Sequence, residues 1–404
     1  MSRQFSFPGT HRTALSRACS ITTALLGGLL LPAYSQEARQ EKGDVPGSPA
    51  RYGPFDVLYG IRGSVVYDDN IYISHTNKKA DVIFNIAPNI TVGAGDYREG
   101  EANLVKLSYT PTVILFADQS KNNAIDHDAL LKGQWRPGSW KFGLQQEYQN
   151  YSGAVVDVGN RVNRQIYTTV LSSVYEVSPR TSFELDGRQS INNYQRLTDF
   201  NEWAVSAWMD YELTPLLKTG LGITGGFVDV QPGVNQTYQQ ILARATYSLT
   251  ELLDLRASAG GELREFQGGQ KNRVNPVFTI GGTYRPLENT TLTLDAYRRS
   301  QTSVVLRDQN YTTSGFSAGV RQVFRENYAL NLSGGYENSD YTSNVKGTVA
   351  NRTDDYFVGQ IGVDWNVLEK LTVGAFYQFR DNHSTDSNHS FDNHQVGLNV
   401  SYRF

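Results

Sequence analysis

Asn393-His394-Gln395-Val396-Gly397-Leu398-Asn399-Val400-Ser401-Tyr402-Arg403-Phe404 closes the chain on an unbroken alternation. Val396, Leu398, Val400, Tyr402 and Phe404 point one way, and Gln395, Gly397, Asn399, Ser401 and Arg403 the other. A period of two is the mark of a β-strand, and an apolar face opposite a polar one means that the strand separates two solvents.

Working back through the chain, the same pattern recurs. From Val57 onward it predicts strands at Tyr59–Tyr67, Val82–Ala94, Leu104–Ala117, His127–Trp135, Trp140–Tyr148, Gln165–Val177, Phe183–Gln189, Trp203–Leu213 and Thr219–Phe227. It continues through Tyr238–Leu249, Leu253–Leu263, Pro276–Tyr284, Thr291–Arg298, Tyr311–Phe324, Tyr328–Tyr336, Tyr356–Val367, Leu371–Arg380 and His394–Phe404. The connections alternate. Short ones carry turn chemistry, such as Arg136-Pro137-Gly138-Ser139 and Ser178-Pro179-Arg180-Thr181, while polar stretches such as 68–80, 150–163, 337–354 and 381–393 are long. Short turns on one side and long loops on the other are the layout of a transmembrane barrel.

An aromatic closes the second strand of each hairpin: Trp135, Tyr175, Tyr211, Tyr247, Tyr284, Phe324, Trp365 and Phe404, with Tyr402 beside the last, spaced 36 to 41 residues apart. Aromatic rings prefer the headgroup level of a bilayer, so this set is the candidate membrane girdle. A soluble propeller has a similar repeat length, but its blades would share a sequence signature and have no reason to alternate loop lengths.

The faces separate by charge. Phe84, Ile86, Ile90 and Val92 face out and Asn85, Asn89 and Thr91 in; Val105, Leu107, Tyr109, Val113 and Leu115 face out and Lys106 and Ser108 in. Trp203, Val205, Ala207, Met209, Tyr211 and Leu213 face out, with Glu202, Ser206 and Asp210 inside. Gln165–Val177 is ambiguous, because Ile166, Val170 and Val174 oppose Tyr167, Leu171 and Tyr175. An Arg or Lys facing lipid at mid-bilayer costs about 2–4 kcal/mol, which places the strand charges inside. The lumen-facing selectivity candidates are Arg62, Lys106, Lys132, Arg188, Arg244, Arg256, Glu184, Asp186, Asp210 and Glu262, with Lys141, Glu147, Asp254, Asp295 and Asp364 on the same face. Their near balance predicts weak ion selectivity.

The 404 residues have a mean hydropathy of −0.43 and a formal charge of −3. Residues 1–35 read as a secretory signal: Arg3, Arg12 and Arg17, then an apolar run to Leu31, then Ala33-Tyr34-Ser35 as cleavage site. Cleavage would remove three bases and Cys19, leaving −6 (34 − 40) and no cysteine. That excludes thiol chemistry and disulfides and argues against a nucleic-acid partner. Residues 36–56 read as a flexible periplasmic lead-in, and 57–404 as the barrel.

Catalytic signals are weak. Gly220-Leu221-Gly222-Ile223-Thr224-Gly225 fits a dinucleotide fingerprint only in letters, since it lies inside a strand with no helix after it. His383, His389 and His394 stand near Asp381, Asp386 and Asp392, but their spacing matches no ligand motif. The remaining exported histidines, His75 and His127, lie in or beside loops, so no nucleophile–base pair is evident and no enzyme, metal or cofactor is expected.

Two segments carry resemblances. The closing Tyr402-x-Phe404 strand is similar to the terminal signal that assembly machinery reads on bacterial outer-membrane barrels, and Val65-Val66-Tyr67-Asp68-Asp69-Asn70-Ile71-Tyr72 resembles the opening of the putative beta-barrel porin 2 family. The resemblance implies an outer-membrane, porin-like barrel, often associated with exopolysaccharide export. The expected fold is all-β: a closed antiparallel transmembrane barrel of about 18 strands with short periplasmic turns and long extracellular loops. Expected partners are outer-membrane lipid, the assembly machinery and, through the resemblance, periplasmic polysaccharide-export proteins. The expected function is a channel for hydrophilic solutes; export of exopolysaccharide and a plugged surface scaffold are the alternatives.

Overall fold

The computed structural model describes residues 50–98, 100, 102–249, 252–269, 272–305, 308–345 and 352–404, so the secretory signal and most of the lead-in lie outside the described residues. Eighteen long antiparallel strands, from Phe55–Asp68 to Phe391–Arg403, each pair with their neighbours in sequence. The first then pairs with the last, from Gly60↔Arg403 to Asp68↔Gln395, and the sheet closes into a barrel. All eighteen strands expected from the alternation are present. The lead-in is structured from Ala50 onward: Ala50–Tyr52 turns at Gly53-Pro54 and pairs with Phe55–Val57, and the first barrel strand starts at Phe55. No helix among the described residues is long and apolar enough to cross a membrane.

The wall is longer than its apolar part. Tyr328–Ser343 and Thr353–Leu368 extend well into what reads as loop 337–354, and Thr181–Tyr194 and Asp199–Thr214 leave only 195–198 between them. Beyond the membrane both faces meet water, so alternation ceases while backbone pairing continues. The rim opposite the termini therefore carries a polar collar of paired strands.

The outer face is selected by one solvent. Val65, Ile86, Leu107, Leu185, Val205, Ile223, Ile241, Leu294, Ile361 and Leu398 are all exposed, Ile241 by 73%. In water such a continuous apolar band would be an aggregation surface. The ambiguous strand is resolved by its neighbours. Leu171 pairs with Gly187 and Leu144 and is exposed, whereas Val174 pairs with the buried Glu184, so Val170 and Val174 face inward.

The Asp68-Asp69-Asn70 motif closes the seam. Asp68 Oδ1 accepts from Asn70 N at 2.9 Å and Asn393 Nδ2 at 2.6 Å, and Oδ2 accepts from Gln395 Nε2 at 2.7 Å. Asp69 Oδ1 accepts from His394 N at 2.7 Å, and Asn70 bonds Ser74 and the Asp392 carbonyl. Asn70 and Asn393 are fully buried. The motif extends the first-to-last ladder past its final backbone pair.

Val113 lies on the outer face between Ile86 and Ile125, and Ser108 on the inner face against Thr91. Val113→Arg is expected to lower barrel stability in bilayers by up to about 2–4 kcal/mol, while Ser108→Arg changes it by less than about 1. Equal loss in a denaturant titration would reverse the faces. Asp68→Ala takes the acceptor from Asn70 N and Gln395 Nε2, while Asn393 Nδ2 keeps Asp69 Oδ1, and is expected to cost about 1–3 kcal/mol for each donor left unpaired, lowering the temperature of heat-modified migration on gels; His75→Ala in the same loop serves as the unaffected control.

Candidate functional site

Alternation turns Glu184 and Asp186, then Ser206, Trp208 and Asp210, then Tyr238, Gln240, Leu242 and Arg244, then Glu262 and Arg264 into the interior from four of the five neighbouring strands between Thr181 and Phe266. All are buried or nearly so. A charge inside a barrel wall needs a partner within reach. Arg244 finds two: its Nε lies 2.8 Å from Asp210 Oδ1, and its Nη2 lies 2.5 Å from both Asp210 Oδ2 and Glu184 Oε2. Lys218 Nζ adds a contact to Asp210 at 3.0 Å. Arg264 reaches Glu262 at 2.8 Å and Gln236 at 2.9 Å, and Gln240 donates to Glu262 at 2.8 Å.

Each of these arginines also lies over a ring that points inward. The Arg244 guanidinium is 4.2 Å from the Trp208 ring and that of Arg264 is 4.7 Å from Tyr238. Glycine makes the room. A Cβ on Gly222 would fall 2.3 Å from Trp208, and one on Gly226 2.2 Å from Tyr238. The Gly220-x-Gly222 stretch thus belongs to the wall, as a floor for Trp208 and Arg244. Asp186 is different: both its carboxylate oxygens are buried without a hydrogen-bond partner in the protein, as is the Trp208 Nε1.

Most of the remaining candidates sit on a more open stretch of wall. Arg62, Lys106 and Lys132 are half-buried on inward positions, and Lys106 stands directly opposite Lys132 in register. Arg188 lies on the packed wall opposite Val170 and Ala204, and Arg256 is exposed on an inner-face position opposite Thr246. Of the ten candidates the fold therefore joins Glu184, Asp210 and Arg244 directly, places Asp186 beside them and ties Glu262 to Arg264. Sequence reasoning missed Trp208, Tyr238 and Arg264. Trp208 falls on the inward register between Ser206 and Asp210, but treating aromatics as outward residues hides it.

The aromatic set lies at the rim of the termini. Trp135, Tyr175, Tyr211, Tyr284, Phe324, Trp365, Tyr402 and Phe404 are exposed there, and Tyr247 is half-buried. Trp140 joins them, its ring tilted against Tyr175 at 4.6 Å, and Tyr59 stacks on Phe404 at 5.0 Å. At the opposite rim Tyr67, Trp203, Phe357 and Tyr377 form an outward set that the hairpin spacing did not reveal.

Over that opposite rim, connection 152–163 folds back as a small hairpin, Ala154–Val155 against Asn160–Arg161. Its Asp157 is buried among Ser303, Val304, Tyr341 and Arg352. Burial pushes the Asp157 carboxyl up from its ordinary value, and Arg352, the Tyr341 hydroxyl and the Val304 N–H act against that shift. Of the histidine-rich last loop, only His394 and Asp392 converge, with Asp69 as the third group. Lys78 Nζ already lies 2.5 Å from Asp392, His389 pairs with Asp386, and His383 with Asp381.

Gly222→Leu is expected to displace Trp208 and cost about 1–3 kcal/mol through overpacking. Gly225→Leu on the same strand, with nothing within 4 Å of its Cβ, should leave the denaturant midpoint unchanged.

No curated protein matches the sequence. Among solved structures, OccAB3 of Acinetobacter baumannii is similar at 10% identity, covering 86% of this chain and 100% of its own, with a TM-score of 0.47. OpdO of Pseudomonas aeruginosa matches at 11% identity over 86% and 97%, with a TM-score of 0.45. A loop-deletion form of OmpT from Vibrio cholerae matches at 12% over 87% and 100%, with a TM-score of 0.40. The model of the family described as putative beta-barrel porin 2 matches residues 142–404, more than half of the chain. With the closed eighteen-stranded wall, this makes the protein a porin-like outer-membrane β-barrel that belongs to the putative beta-barrel porin 2 family.

Proposed function

We propose that the protein is a channel for small hydrophilic solutes across the outer membrane, rather than an enzyme. The observation that supports this most is the pairing of a continuous apolar outer face with a charged inner face on one closed wall of eighteen strands. Barrels of about 16–18 strands are wide enough to hold an aqueous path, whereas about eight strands fill with side chains. Solutes would exchange part of their hydration shell for inward polar groups.

In this reading the rim of the termini faces the periplasm, residues 1–35 direct export, and the closing strand engages the assembly machinery. The aromatic set headed by Trp135, Tyr175 and Trp365 anchors the periplasmic interface, and Tyr67, Trp203 and Phe357 the outer one. The packed wall is largely self-neutralised, since Arg244 and Arg264 are spent on Asp210, Glu184 and Glu262. Selectivity then rests on the more open wall, where Arg62, Lys106, Lys132 and Lys141 slightly outnumber Asp126, Asp128 and Glu147. The buried Trp208 and Tyr238 rings are capped by guanidinium groups, so they offer no free platform for stacking sugars and lend no support to polysaccharide export.

Purified protein in planar bilayers should give ohmic current steps. The double variant Lys106→Glu and Lys132→Glu should shift the reversal potential under a KCl gradient toward cation preference. Silence in every preparation overturns the channel; conduction with an unmoved reversal potential removes the lysine pair from selectivity.

A further inference from the structure

The hairpin 152–163 does not stay beside the strands that carry it. It follows the strand Trp140–Tyr151 and precedes Arg164–Ser178, yet Asp157 at its tip bonds to groups on the far side of the mouth. Going round the wall from this hairpin to Ser303 and Val304, just past the strand Thr290–Thr302, eight strands lie on one side and ten on the other. A contact between two such points is a chord close to the diameter. It forms over the opening, where the hairpin tip meets a far-side segment that itself reaches toward Thr198.

The crossing is built, not incidental. The hairpin closes on itself through Gly159 N to the Val155 carbonyl at 2.9 Å, with Gly159 at φ +66°, where side chains other than glycine are strained. Its base is fastened by Ser152 N to Asp126 Oδ1 at 3.0 Å and by the Arg161 guanidinium 4.8 Å from the Phe116 ring. Its tip is fastened by four donors. Val304 N lies 3.1 Å from Asp157 Oδ2, Tyr341 Oη donates to Oδ1 at 2.7 Å, and Ser303 Oγ is 3.4 Å from both oxygens. Arg352 Nη1 donates to the Asp157 carbonyl at 2.9 Å and lies 3.6 Å from its carboxylate. Arg352 is itself held over the Tyr341 ring at 4.3 Å and by Asp354. Val155 and Val304 are buried beneath the contact, and Thr198 N joins it through the Val304 carbonyl at 3.0 Å.

The hairpin's base is covalently tied to one wall, while its tip is held across the mouth through Asp157, by three donors on its carboxylate and by Arg352 on its backbone carbonyl. Loss of that carboxylate removes the acceptor of Val304 N, the Tyr341 hydroxyl and Ser303 Oγ and leaves only the Arg352 bond to the carbonyl, which favours release of the tip toward its own wall. Two arrangements of one rigid element, selected by a single clasp, are the requirements of a switch. We propose that hairpin 152–163 is a strap latched by Asp157 that closes the outer mouth, and that its release opens the channel. This inference rests on the channel reading.

The test uses the full refolded chain in planar bilayers, with folding checked by heat-modified migration. Asp157→Ala should raise the open probability about tenfold, the change expected from losing one charge-assisted clasp. A second variant, Asp157→Cys with Ser303→Cys, has no other cysteine to pair with once Cys19 is removed with the leader. Oxidised, it should stay at or below the wild-type level; reduced, it should open like Asp157→Ala. If the oxidised and reduced forms conduct alike, the strap is overturned and the channel reading stands. If no form conducts, reduced or oxidised, the channel reading falls and the strap with it.

Discussion

A strand with an unpaired edge cannot face hydrocarbon, because nothing there replaces water on its N–H and C=O groups. Every other feature of this molecule follows from satisfying that constraint. Pairing the first strand with the last, Gly60 to Arg403 and on to Asp68 with Gln395, removes the edge altogether. The buried Asp68–Asn70–Asn393 knot holds the two ends together where the backbone ladder stops. Closure also fixes the two faces for the whole length of the wall, since side chains alternate strictly along every strand.

The two faces then solve different problems. Outside, one solvent selects one kind of residue, and Ile241, Leu398 and Val205 are interchangeable in kind. Inside, each group must find its own partner. Arg244 uses two carboxylates and a ring; Arg264 uses one carboxylate, an amide and a ring. Glycines opposite these rings let the wall absorb bulky side chains without closing it. The interior is asymmetric as a result, with a packed, self-neutralised wall between Thr181 and Phe266 and a more accessible basic stretch over Lys106 and Lys132.

The strands were readable because the alternation of solvents is written into each of them separately. Val396 to Phe404 declares its faces without reference to any other residue. Where the reading ran short, the pattern had no solvent contrast to report. The polar collar at the loop rim, such as the ends at Ser343 and Thr353, reads as loop in the sequence for that reason. Strand Gln165–Val177 carries apolar residues on both faces, and only its pairing with Glu184 and Gly187 decides between them. The Asp68-Asp69-Asn70 motif was visible, but not that it binds the far end of the chain.

By itself the sequence determined that the chain is a wall between water and lipid, how many times it crosses, and which charges face inward. Those properties are local and periodic. The tertiary structure alone decided which inward groups meet, that Trp208 and Tyr238 lie flat on glycines, and that hairpin 152–163 spans the mouth. Those contacts join residues up to 327 positions apart, and a period of two says which side a residue faces, never whom it meets there.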